Sequence, residues 1–169
     1  WTSRLASATG DSDIERITDV DATPLVLGGH LVAGSYNGRA AVIDAANGQT
    51  FWSKDANVAG DISEGFGNVY FASVEGEVLA YDADKGQLKW VNENLLRRGM
   101  GSSTTWVNYV AVVDFEGYLH LLSQVDGRIV GRSRVDKTMT QAPLLVNDNL
   151  LYVQSNGGRL TAYSLKTIK

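Results

Sequence analysis

The 169-residue chain is 44% hydrophobic and 20% charged, a globular composition that excludes a wholly disordered polypeptide. Fifteen Lys and Arg against 19 Asp and Glu leave a net charge of −4, which argues against a strongly basic nucleic-acid binder. Cys is absent, so disulfides, thiolate metal sites and Cys nucleophiles are excluded; no apolar run approaches the ~18 residues that a membrane-crossing helix needs.

In chain order, residues 1–7 open on Trp1 and are expected to be the last strand of a preceding repeat unit. Residues 8–21 are a charged insertion holding Asp11, Asp13, Glu15, Arg16, Asp19 and Asp21. Its net charge is −4, so the rest of the chain sums to zero. Concentrated acid on a neutral body suits a basic partner, because complementary charge steers and orients association.

From residue 22 onward one unit recurs. Ser35-Tyr36-Asn37-Gly38 aligns with Ser73-Val74-Glu75-Gly76, with Asp114-Phe115-Glu116-Gly117 and with Ser155-Asn156-Gly157-Gly158. The marker glycines Gly38, Gly76, Gly117 and Gly158 are spaced by 38, 41 and 41 residues. Each unit predicts four strands. A weak one opens it (24–27, 61–64, 104–107, 143–146). Short apolar runs follow (31–35, 69–73, 110–114, 150–154), then the marker-glycine turn and a third strand (39–44, 77–82, 118–123, 159–164). Asn37-Gly38 is a strong hairpin signal, since both central positions favour positive φ. A second turn, entered at Asp44 or Asp82, leads to an outer strand expected to end on Trp52, Trp90 or Gly131.

Units of four antiparallel strands and roughly 40 residues pack around an axis as a β-propeller. The expectation is an all-β propeller with blades at 22–59, 60–100, 101–140 and 141–169, the last incomplete. With residues 1–7 this makes sixteen strands, offset by one strand from whole blades. Such an offset is how propellers close: a strand from one end completes the blade at the other. An open four-blade arc would expose apolar faces, so self-association as a dimer is expected, with closure on itself as a four-bladed ring the alternative.

Asp44 through Trp52 and Asp82 through Trp90 fit D-x-x-x-G-x-x-x-W. This resembles the pyrroloquinoline-quinone-type propeller repeat, in which the Trp docks between blades; Trp1, Trp52 and Trp90 are thus blade-docking candidates. The segment from Trp1 to Pro24, the run Leu95-Leu96-Arg97 and the stretch Asp114-Phe115-Glu116-Gly117-Tyr118-Leu119-His120 resemble the BamB family, propeller lipoproteins of the bacterial outer-membrane β-barrel assembly machinery. The resemblance runs over the full length. It implies the C-terminal four blades of an eight-bladed propeller, with the N-terminal half and lipid anchor outside this sequence. It further implies a non-enzymatic scaffold in the periplasm at the outer membrane. The partners implied are the POTRA domains of the barrel-assembly protein, with unfolded outer-membrane proteins second. In that family the Asp-x-Asp pair matching Asp19 and Asp21 belongs to the partner-binding surface, and Arg16 lies beside it.

The other chemistry-bearing residues have plainer readings. His30 and His120 lack partners at metal-ligand spacing, and Asp44 and Asp82 recur at one turn position, a structural role. The Ser102 to Thr105 run has no nucleophile motif around it. Arg128, Arg132, Arg134 and Lys137 suggest a solvated outer strand. Leu95 and Leu96 are either a contact patch or tucked beneath their loop. No metal or cofactor site is expected. The competing functions are a fragment of a quinone-dependent dehydrogenase, which uses the same repeat, and a generic propeller interaction module.

Overall fold

A computed structural model describes residues 1–5, 22–36 and 38–166. Among them lie fifteen strands and no helix. The first sheet contains β1 (Leu25–Leu27), β2 (His30–Gly34), β3 (Gly38–Asp44) and β4 (Thr50–Ala56). The second contains β5 (Ser63–Gly65), β6 (Asn68–Ala72), β7 (Val78–Asp82) and β8 (Leu88–Asn92). The third contains β9 (Met100–Trp106), β10 (Tyr109–Asp114), β11 (Tyr118–Ser123) and β12 (Ile129–Arg134). The fourth has three strands, β13 (Leu145–Asn147), β14 (Leu150–Gln154) and β15 (Leu160–Ser164). Strands pair antiparallel in sequence order within every sheet, the blade pattern of a propeller.

Alternation along the strands decides how the blades stack. Val32, Val42 and Trp52 share one face of blade 1 and meet Val69, Phe71 and Tyr81 of blade 2. Tyr70, Val78, Ala80 and Trp90 on the opposite face of blade 2 meet Val110, Val112 and Leu122 of blade 3. Trp106, Ala111, Leu119 and Leu121 then meet Leu151, Val153 and Tyr163 of blade 4. Full burial of each Val, Leu or Phe contributes roughly 1.5–3 kcal/mol, so these seams hold the arc together. On the far face of blade 4, Leu145, Leu150 and Leu160 remain exposed.

Several boundaries differ from the sequence expectation. The outer strands continue past Trp52 and Trp90, because backbone pairing runs on through Ala40↔Lys54 and Gly38↔Ala56 where polar side chains hide it. β9 starts at Met100, where Gly101 lets the strand pass the Thr140 carbonyl; a Cβ there would sit 2.8 Å from that oxygen. Val107, expected in a strand, is a turn residue at φ 56°. The sixteenth strand, residues 1–7, falls partly outside the described residues, and Trp1–Leu5 is not in a strand. Asn37 and the whole acidic insertion 8–21 also lie outside them.

Candidate functional site: blade seams and the linker end

Trp52 and Trp90 sit on outer strands and reach across to the next blade. Trp52 Nε1 donates to the Ala83 carbonyl at 2.8 Å, and Trp90 Nε1 to the Gln124 carbonyl at 3.0 Å. Ala83 and Gln124 occupy the same position, one residue past the turn entry at Asp82 or Ser123. Trp1 Nε1 donates to Ala45, the equivalent residue of blade 1, at 3.1 Å. The indoles lie over Gly48, Gly86 and Gly127, where a Cβ would come within 2.4–2.6 Å of a ring atom. Glycine in each turn therefore serves close approach as well as the positive φ of 61–77°. Trp1 thus fills the place an outer-strand Trp of a blade before blade 1 would fill.

The marker-glycine hairpins gather with the blade-to-blade linkers at one end of the arc. Val58 N–H donates to Ser35 O, Arg97 N–H to Glu75 O and Val135 N–H to Gly117 O. Gly76 is at φ 103°, and a Cβ there would lie 2.1 Å from Leu95 O, so only glycine fits under the second linker. Gly117 and Gly158 also have positive φ, and Gly38 opens β3. Ser35, Ser73 and Ser155 each accept the N–H four residues on through Oγ; Asp114 does so through Oδ1.

On this end the second insertion divides its leucines. Leu95 is buried, whereas Leu96 is 45% exposed and Arg97, at φ 65°, is exposed beside it. Asp61 anchors the same end near the innermost strands. It accepts from Thr23 N–H at 2.8 Å and from Ser102 Oγ at 3.1 Å, tying the entries of blades 1, 2 and 3 together. Thr23 is the second residue past the acidic insertion, so Asp61 holds the chain close to where that insertion rejoins the body. Asp19, Asp21 and Arg16 themselves lie outside the described residues.

The sequence offered no sign of a buried polar cluster in blade 3. Asp114 Oδ2 accepts from Arg98 Nε at 2.6 Å and from His120 Nε2 at 2.8 Å. Burial alone would raise the Asp114 carboxyl; the bonds from His120, the Tyr118 N–H and Arg98 outweigh it and hold the group below its ordinary value. Burial pushes the His120 imidazole down despite its carboxylate partner. His120 Nδ1 is buried with no partner, so the neutral ring with its proton on Nε2 is the form that fits. Arg98 also binds Glu116 at 2.5 Å, so the cluster braces the linker against the hairpin. Among the described residues, no three His, Asp or Glu side chains gather as a metal site. The basic side chains Arg132 and Arg134 lie exposed on β12, with exposed Arg128 just before it.

Repeated four-stranded sheets, seamed by an outer-strand Trp hydrogen-bonded to the next blade's turn, define a β-propeller of the pyrroloquinoline-quinone-type repeat. A family profile described as outer membrane protein assembly factor BamB matches residues 1–92 and again 74–168. The chain belongs to that family. It is 40% identical over 166 residues to outer membrane protein assembly factor BamB of Pseudomonas aeruginosa, covering 98% of this chain and 44% of the relative. The Escherichia coli K12 relative is 33% identical, with 98% and 42% covered. The crystal structure of BamB from Moraxella catarrhalis superposes with a TM-score of 0.90 at 32% identity, covering 98% of this chain and 49% of that one. The chain therefore spans less than half the length of these relatives. A quinohemoprotein alcohol dehydrogenase from Comamonas testosteroni shares the fold alone, with a TM-score of 0.68 at 16% identity over 80% of this chain and 29% of that one.

Proposed function

We propose that this chain is a non-enzymatic scaffold in the assembly of β-barrel proteins into the bacterial outer membrane, working on the periplasmic side of that membrane. The family membership over nearly the whole chain carries the reading. The linker end is the docking face. It receives the acidic insertion at Thr23 and presents Leu96 and Arg97, an apolar and a cationic contact on one surface. The partner is a POTRA domain of the barrel-assembly protein, whose basic groups meet Asp19 and Asp21 beside Arg16; unfolded outer-membrane proteins are a second class of partner. Asp19→Ala/Asp21→Ala is expected to weaken binding to purified POTRA domains and flatten its salt dependence, because screening acts on exposed charge. Equal affinity of the double mutant at low salt would remove the insertion from the interface. The bare far face of blade 4 supports a second element: two copies pair, each covering the other's open end.

A further inference from the structure

Blade 3 gathers positive charge at one place. Arg132 and Arg134 alternate along β12, so both side chains leave the same face. β-pairing sets them opposite His120 and Tyr118, on the face whose Leu122 meets blade 2. The Arg132 guanidinium stands over the Tyr118 ring at 3.8 Å from its centroid, and that of Arg134 at 5.0 Å. Arg98 comes within 5.9 Å of the same ring from the linker before β9. Three guanidiniums thus converge on one ring, although like charges repel.

The nearby carboxylates are engaged elsewhere. Asp114 and Glu116 both bind Arg98. Asp126 pairs with Arg128 at 3.5 Å. Asp136 turns its carboxylate to Ser155 and Thr138 and gives Arg134 only its carbonyl, at 3.0 Å. Among the described residues, neither Arg132 nor Arg134 has a carboxylate within ion-pair distance. Both are exposed, yet both are held. Arg134 is tied through Nε to the Asp136 carbonyl and through Nη1 to the Tyr118 hydroxyl at 3.4 Å. Arg132 rests on the Tyr118 ring by a cation–π contact, which leaves its N–H donors free among the described residues.

We infer that Arg132, Arg134 and Tyr118 form a binding site for a phosphoryl group, carried by a lipid headgroup or by a soluble phosphate compound. Two guanidiniums without counter-ions call for about two negative charges in a small volume. A phosphomonoester brings −1.5 to −2 at about pH 7, on three strong acceptor oxygens. A carboxylate brings one charge and two oxygens, which satisfy a single guanidinium fork. The planar fork of arginine matches phosphate oxygens, and two forks beside one ring can share one tetrahedral group. Because Tyr118 and the Asp136 carbonyl already position the two side chains, less ordering remains to oppose binding. Arg98 stays with Asp114 and Glu116 and adds only its field.

The test titrates the whole chain with inorganic phosphate, holding ionic strength constant with chloride, and follows the arginine Nε–H and Tyr118 ring signals by NMR. Saturable shifts at Arg132, Arg134 and Tyr118 are expected in the millimolar range. Arg128, paired with Asp126 just before the same strand, should stay still. Arg132→Gln/Arg134→Gln changes two exposed side chains, so it should keep the amide spectrum and weaken phosphate binding at least about tenfold. Arg128→Gln should bind as the wild type does. Vesicles of phosphatidylcholine with and without phosphatidic acid identify the source. Co-sedimentation that needs phosphatidic acid and is lost in the double variant supports the site with a lipid headgroup as its ligand. Saturable phosphate binding with no vesicle binding supports it with a soluble one. Equal, unsaturable drift at Arg128 and Arg132 would overturn the assignment, since it reports screening alone. So would unchanged phosphate binding by the folded double variant, or tighter binding of the peptide Glu-Gly-Glu than of phosphate, which would make this a carboxylate site on a protein interface.

Discussion

Trp90 hands its indole N–H to the carbonyl of Gln124 across the gap between blades 2 and 3, at 3.0 Å. Gln124 is also held from behind, its side-chain amide donating to the Val107 carbonyl at 3.0 Å. The acceptor is thus fixed before the ring arrives, and the ring stacks on Tyr70 at 5.7 Å. Removing the indole empties a seam and orphans a carbonyl. Trp90→Ala is expected to cost roughly 3–5 kcal/mol in a urea melt, the range for deleting a large buried aromatic. Trp1 makes the equivalent bond but is 59% exposed, so Trp1→Ala should cost less than about 1 kcal/mol. Equal losses at the two positions would mean that burial is not what gives the Trp its weight.

The reach of Trp52 and Trp90 toward the next blade follows from the repeat, since each D-x-x-x-G-x-x-x-W copy carries a ring together with the glycine that the preceding blade's ring covers. The repeat likewise announced the propeller, since four in-register copies have few other ways to bury their faces. The Asp114–His120 pair was not legible. Six residues separate them across a hairpin, and only the ladder Val113↔Leu119 brings the two side chains together. Asp61 gave no signal because its partners, Thr23 and Ser102, are 38 and 41 residues away.

Val107 is expected to be a stability reserve. It is a β-branched residue at φ 56°, exposed, in the tight turn between β9 and β10. The equivalent turn of blade 1 uses Gly28 at φ 59°. A β-branched side chain in the left-handed region costs of order 1–3 kcal/mol. Val107→Gly should therefore raise stability by about 1 kcal/mol, the relief of strain exceeding the added freedom of the unfolded chain. A lower urea midpoint for Val107→Gly would show that the exposed isopropyl group makes up for the strain.

Acid should loosen blade 3 through His120. Its folded pKa lies below its unfolded value of about 6.5, so the unfolded chain takes up a proton that the folded chain resists. Stability contributed by the neutral ring is present above ~6.5 and declines as pH falls from there toward the folded value. Protonation would also put an N–H on Nδ1, where no acceptor waits. Asp114 adds a second loss at lower pH, since its depressed carboxyl stabilises the fold above its unfolded value of about 3.9 and stops doing so once protonated. His120→Gln keeps an N–H for Asp114 without a titrating ring, so its urea midpoint should change less between pH 7 and pH 5 than that of the wild type. Parallel curves would assign the acid sensitivity elsewhere.

The two ends of the arc make complementary demands. Blade 4 has three strands, and β15 lies at its edge among the described residues, with Leu145, Leu150 and Leu160 exposed on the face turned away from blade 3. Blade 1 carries on its turn a Trp that belongs, by position, to the outer strand of a blade before it. On the proposed pairing, a second copy would meet both demands at once: its blade 4 would precede blade 1, with Trp1 beside β15 of that copy. Two-fold symmetry would then close eight blades. Closing one chain on itself would need neighbouring blades to meet at about 90° instead of about 45° by the geometry of a ring, and every seam would have to repack. Such repacking costs typically 1–3 kcal/mol per overpacked site. Light scattering on the purified chain should thus give about twice the 18.2 kDa chain mass, falling on dilution. Leu160→Lys, on the bare face and outside the three seams, should return the mass to that of one chain while leaving the folded spectrum intact. A wild-type mass that stays at one chain across a hundredfold range of concentration would rule out the pairing.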